Sequence, residues 1–124
     1  MDILELHGNM LDWLEETLYN NQHTDSIIVL THHAPSPMML SKNNYGNNEN
    51  NGNNNNYNYN CGDNYENYYA SDCHSLFKKP IKCWISGHTH SCVQISINDI
   101  KSVSNCLGYI GEKTNVDVNK YLII

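Results

Sequence analysis

The sequence predicts an α/β domain interrupted by a long insertion. Three observations carry that reading. Residues 26–31 (SIIVLT) and 82–86 (KCWIS) are short apolar runs with the length and side-chain character of buried strands. Leucines at helical spacing precede the first run. Residues 92–97 and 100–104 flank Asn98-Asp99 and read as a hairpin.

Taken in order, Leu11, Leu14 and Leu18, with Met10 and Trp13, fall on one helical face, while Asp12, Glu15 and Glu16 lie elsewhere. This spacing predicts an amphipathic helix of about three turns. The strand at 26–31 follows. From about residue 38 to about residue 77 the sequence offers little that could enter a core. Within it, residues 42–69 are dominated by Asn, with Gly and Tyr interspersed, and cannot offset their ordering entropy by burial. They are expected to form a disordered, low-complexity insertion, with 70–75 as its flank. The alternation in Tyr57-Asn58-Tyr59-Asn60 also suits an interaction or self-association element. Beyond the insertion, residues 82–86 form the second strand. Val93, Ile95 and Ile97 then alternate as a half-buried strand should, and Asn98-Asp99 suits a tight turn because both residues tolerate positive φ. Residues 116–118 and 121–124 are expected to add a last strand. The foldable parts are therefore 1–41 and 76–124.

Composition narrows the possible functions. At 124 residues the chain is one domain at most, and its reduced foldable part buries a smaller share of its surface than a full-length domain, so it is not expected to be a comfortable monomer. The formal net charge of −6, with no basic cluster beyond Lys78-Lys79, argues against nucleic acid as a sequence-specific partner. A phosphorylated small substrate stays open, because metal cations can carry the positive charge at such a site. Five cysteines with no C-x-x-C pair read as reduced thiols of an intracellular protein. No basic leader precedes an apolar stretch, and no window reaches the roughly 20 apolar residues of a membrane span. The expected location is cytoplasmic.

The chemistry lies at the two strand ends. His32-His33 closes the first run, and Gly87-His88-Thr89-His90 closes the second. A strand that stops and then offers imidazoles places them on a loop, where neutral nitrogens can converge on a metal ion. His7, His23 and His74 lack that context and read as polar residues satisfied by hydrogen bonds.

Three blocks in this order, Val29-Leu30-Thr31-His32-His33-Ala34-Pro35-Ser36, then Trp84-Ile85-Ser86-Gly87-His88-Thr89-His90-Ser91, then Ser104-Asn105-Cys106-Leu107-Gly108-Tyr109, resemble the C-terminal half of a calcineurin-like metallophosphoesterase. The helix at Trp13-Leu14 resembles the one that family carries before its histidine strand. The resemblance implies the C-terminal half of an α/β/β/α sandwich. His32 and His88 would ligate one metal and His90 the other. His33 would sit close to the bound phosphate, and Asn105 with Gly108-Tyr109 would be architectural. It also implies a divalent cofactor of Mn, Fe or Zn type, two ions in the complete site, and hydrolysis of a phosphoester by a hydroxide held between them.

The family's Asp-x-His, Gly-Asp and Gly-Asn-His blocks do not stand in their proper places. Asp72-Cys73-His74 and Gly62-Asp63 match the letters but fall between the two histidine blocks and follow no apolar strand. Two divalent ions about 3.5 to 4 Å apart repel strongly unless anionic ligands offset them. Three neutral imidazoles are thus expected to hold at most one ion. Three readings follow. The chain is a phosphoesterase fragment, inactive alone and completed by an upstream-encoded N-terminal half. Otherwise it is a non-catalytic metal-binding remnant, or an interaction protein acting through its Asn/Tyr-rich segment.

Overall fold

In a computed structural model, the structure describes residues 2–40 and 69–123. The insertion expected at 42–69 lies outside the described residues except for Tyr69. Helix α1 (Ile3–Asn20) leads into strand β1 (Ile27–Thr31). Two short 3-10 turns follow, Pro37–Leu40 and His74–Leu76, and then strands β2 (Ile81–Ser86), β3 (Cys92–Ile97) and β4 (Ile100–Asn105). The four strands form one mixed sheet in the order β1-β2-β4-β3. β2 runs parallel to both β1 and β4, and β3 returns antiparallel to β4. The hairpin turn is the one the sequence suggests, with φ 49° at Asn98 and 64° at Asp99.

One face of the sheet packs against α1. Leu18 is buried there with Val29, Phe77, Ile81 and Trp84, and Leu11 and Leu14 pack against the same cluster. Trp84 is fully buried and stacks on Phe77 with ring centroids 4.9 Å apart. Its indole N–H donates to Thr31 Oγ1 at 3.0 Å, and that hydroxyl donates to the His33 carbonyl at 2.7 Å. A single buried aromatic therefore ties β2 to the end of β1 and to the backbone of the histidine pair.

Four expectations need correction. Met10 and Trp13 are 62% and 65% exposed, because the sheet and the turn beside it cover only the narrower stripe of Leu11, Leu14 and Leu18. The helix begins earlier than three turns would allow, running 18 residues from Ile3. Residues 38–77 do supply core: Met39, Ala70, Cys73, Leu76 and Phe77 are all buried. Ala70 bridges to Ala34, with Ala34 N–H donating to the Tyr69 carbonyl at 3.1 Å, so the flank of the insertion is laced to the loop after β1. Among the described residues, the last strand does not form. Asn105 caps that segment with its side chain, donating to the Asp117 carbonyl at 2.8 Å and accepting from the Asp117 N–H at 3.1 Å, which supplies the backbone pairing a ladder would have given.

On the other face of the sheet, Ile28 and Leu30 stay 44% and 73% exposed. Helix α1 lies on the opposite face, so among the described residues that apolar surface of β1 stays partly uncovered.

Thr31→Val is expected to lower the unfolding free energy by about 1–3 kcal/mol, because it keeps the shape but leaves the buried indole N–H without its acceptor. Urea titration followed by tryptophan fluorescence checks this, with Leu107→Ala, at an exposed position, as the unchanged control.

Candidate functional site

Parallel strands end on the same edge of a sheet, so the residues just past β1 and β2 are neighbours. Thr31 pairs with Ser86, and Gly87 N–H donates to the His32 carbonyl at 3.0 Å, which extends the pairing by one step beyond the strands. The chain then turns sharply. His88 and His90 both adopt left-handed backbone conformations, φ 61° and 49°, which side-chain-bearing residues seldom take. Thr89 N–H donates to the Gly87 carbonyl at 2.7 Å inside the turn, and the Thr89 and Ser91 hydroxyls meet at 2.8 Å. Such outliers persist where surrounding structure holds them, and they cluster at functional sites.

The sheet edge brings three of the four predicted site residues together. The rings of His32 and His88 lie 4.6 Å apart between centroids, those of His33 and His88 also 4.6 Å, and those of His32 and His33 5.2 Å. Tyr69 covers His88 with its ring 5.0 Å away. Partial burial, then the neighbouring His88, His32 and His7 rings, push the His33 imidazole below its ordinary value, which favours the neutral form. Neutral imidazole is the form that binds a metal.

His90 takes a different setting. Its Nδ1 lies 2.9 Å from Glu112 Oε2, and its ring stands edge-on to Tyr109 with centroids 4.4 Å apart. Glu112 Oε2 also accepts the Tyr109 N–H at 2.8 Å. That amide first, and the His90 ring second, hold the Glu112 carboxyl below its usual range. Neither Glu112 nor Tyr69 is signalled by a sequence motif, because each reaches the histidines only after distant loops fold back.

Donor chemistry decides what the site can hold. Among the described residues, no three His, Cys, Asp or Glu side chains are arranged around a common point as a formed metal site. The three clustered rings meet tilted or edge-to-face. Several neutral imidazoles fit one divalent transition ion, and they do not fit a pair of ions, which needs anionic ligands between them.

A second constellation invites comparison. Ser36 Oγ lies 2.6 Å from His74 Nε2, and Asp72 Oδ1 lies 3.9 Å from His74 Nδ1. Ser36 is fully buried and its oxygen also accepts the Met38 N–H at 3.1 Å, while Asp72 accepts the His74 backbone N–H. A nucleophile must reach its substrate, so this Ser–His–Asp string closes a loop instead of serving catalysis. His74 is thus a hydrogen-bonded structural histidine, and His7 likewise meets Ser71 Oγ at 3.1 Å.

Among the described residues, no helix is long and apolar enough to cross a membrane. Comparison with known proteins places the chain. It is 31% identical to an uncharacterized protein of Acanthamoeba polyphaga mimivirus over 116 residues, which is 92% of this chain and 37% of that protein. The chain therefore spans little more than a third of the length of this curated relative. No solved structure matches it. The family model for calcineurin-like phosphoesterases matches residues 2–92, which include both strand-end histidine blocks. The chain belongs to the calcineurin-like phosphoesterase family.

Proposed function

We propose that residues 1–124 carry the histidine half of a divalent-metal phosphoesterase site, with His32, His88 and His90 as metal-holding side chains and His33 directed at a bound phosphoester. The observation that supports this most is the meeting of His32 and His88 across the ends of two paired parallel strands, 4.6 Å between ring centroids. Proteins of the family generally use divalent metals and act on phosphoesters, and both histidine blocks fall inside the matched residues.

The roles follow from the chemistry of each side chain. His32 and His88 present ring nitrogens from two loops whose spacing the sheet fixes. His33, held toward its neutral form, keeps one ring N–H that can donate a hydrogen bond to a phosphoryl oxygen. A divalent ion, when bound, supplies charge neutralisation at phosphoryl oxygens and lowers the pKa of a water molecule. On this reading, metal binding is the part of the function that falls to the described residues. Full turnover requires carboxylates to offset a second ion, and the Asp-x-His, Gly-Asp and Gly-Asn-His blocks that would bring them are not in this sequence at the expected places. On this reading the segment holds one ion of Mn, Fe or Zn type, hydrolyses phosphoesters poorly by itself, and gains activity only with a carboxylate-bearing segment at its side.

Two outcomes are expected. In calorimetric titration with Zn²⁺ at pH 7.5, His32→Ala and His88→Ala should each weaken binding by about tenfold or more, since losing a ligand costs at least what losing its supporting partner does. His23→Ala, in the turn after α1, should leave the affinity unchanged. Equal affinities across all three variants would refute the assignment. With Mn²⁺ added, the chain should hydrolyse bis(p-nitrophenyl) phosphate no faster than its His88→Ala variant does. A rate that His32→Ala and His88→Ala both abolish would instead show a complete active site.

A further inference from the structure

We infer that Glu112 is the positioning residue of His90, holding the ring by Nδ1 so that Nε2 keeps the lone pair with which to bind a cation. The inference rests on the reading of His90 as a metal ligand and adds to it a carboxylate from outside the family-matched residues 2–92.

The contact is built from several sides. A carboxylate oxygen accepts and does not donate, so at the 2.9 Å His90–Glu112 contact the proton sits on Nδ1, and a neutral ring is then an acceptor at Nε2. The same Oε2 takes the Tyr109 N–H at 2.8 Å, and Glu112 N–H closes a turn onto the Tyr109 carbonyl at 3.0 Å. Gly108 makes room for this arrangement. Its φ of +74° suits glycine, and a Cβ there would stand 2.6 Å from both Glu112 Oε2 and Thr114 Cγ2. Thr114 is buried and its hydroxyl donates to the Leu107 carbonyl at 3.1 Å, which fixes the base of the loop. The Tyr109 ring meets the His90 ring at 81°. Tyr109 and Glu112 thus set the plane and the tautomer of the imidazole, while the left-handed backbone at His90 sets where it leaves the chain.

A carboxylate on the far nitrogen of a ligating histidine orients the ring and raises its basicity. Glu112 would give the site one anionic influence that the missing upstream motifs do not.

The test combines a tautomer measurement with a binding measurement on the full chain. Long-range ¹H–¹⁵N correlation of the metal-free protein at pH 7.5 should show His90 in the Nδ1–H form. Glu112→Ala should shift it toward the Nε2–H form and weaken Zn²⁺ binding by about tenfold. Glu112→Gln, which keeps an uncharged acceptor, should recover part of both effects. Glu112 is partly exposed in a surface loop, and circular dichroism of each variant checks that the sheet is kept. An Nε2–H tautomer in the unmodified protein, or a tautomer unmoved in Glu112→Ala, overturns the inference. If His90→Ala weakens Zn²⁺ binding and Glu112→Ala does not, the positioning role alone falls. If His90→Ala leaves binding unchanged, the ligand reading of His90 falls and takes the positioning role with it.

Discussion

The parallel register of β1 and β2 is the constraint on which the rest depends. Residues Ile28 to Thr31 pair in step with Cys83 to Ser86, and Gly87 continues the pairing onto His32. Because side chains alternate across a strand, a slip of one residue would turn Trp84 away from α1 and out of reach of Thr31. The buried indole, its hydrogen bond to Thr31 and its stack on Phe77 therefore lock the register as well as filling the core. Once the register is fixed, both strands stop at the same edge, and the histidines that follow have little choice but to meet.

What meets there is chemically one-sided. Imidazoles crowd together, burial and the neighbouring rings favour the neutral form of His33, and the turn that carries His88 and His90 is held in a backbone conformation that few side chains accept. Such a set favours a borderline transition ion over a hard, oxygen-seeking one. The carboxylate that does reach a candidate ligand, Glu112, approaches through the outer nitrogen of His90 and is itself anchored by backbone. Among the described residues, the face of β1 carrying Ile28 and Leu30 remains partly open, opposite the face that α1 covers.

Much of this was legible in the sequence, and the rest failed for identifiable reasons. Local patterns sufficed for the strands, for the Asn98-Asp99 turn, and for the strand-end placement of His32 and His88. The leucines mark the helix, yet the same periodicity places Met10 and Trp13 on its apolar face, because it gives the direction of a stripe and not the width that a partner covers. Apolar character at the C-terminus suggested a strand, but the Asn105 side chain satisfies the Asp117 backbone first. The core roles of Met39 and Phe77 are not legible locally, because these residues lie beside polar sequence and are recruited by contacts distant in sequence. The same holds for Tyr69 and Glu112 at the site. Sequence motifs mark which residues carry the chemistry, and long-range folding decides what stands behind them.

X-ray absorption of the Zn²⁺-loaded chain tests the central claim most directly, because it counts imidazoles around the ion. At least two histidine rings, with nitrogen about 2.0–2.1 Å from zinc and the outer-shell pattern of imidazole reduced by one ring in His88→Ala, are the predicted result. A first shell dominated by sulfur at about 2.3 Å, from thiols such as Cys92 or Cys106, or by oxygen alone, would contradict it.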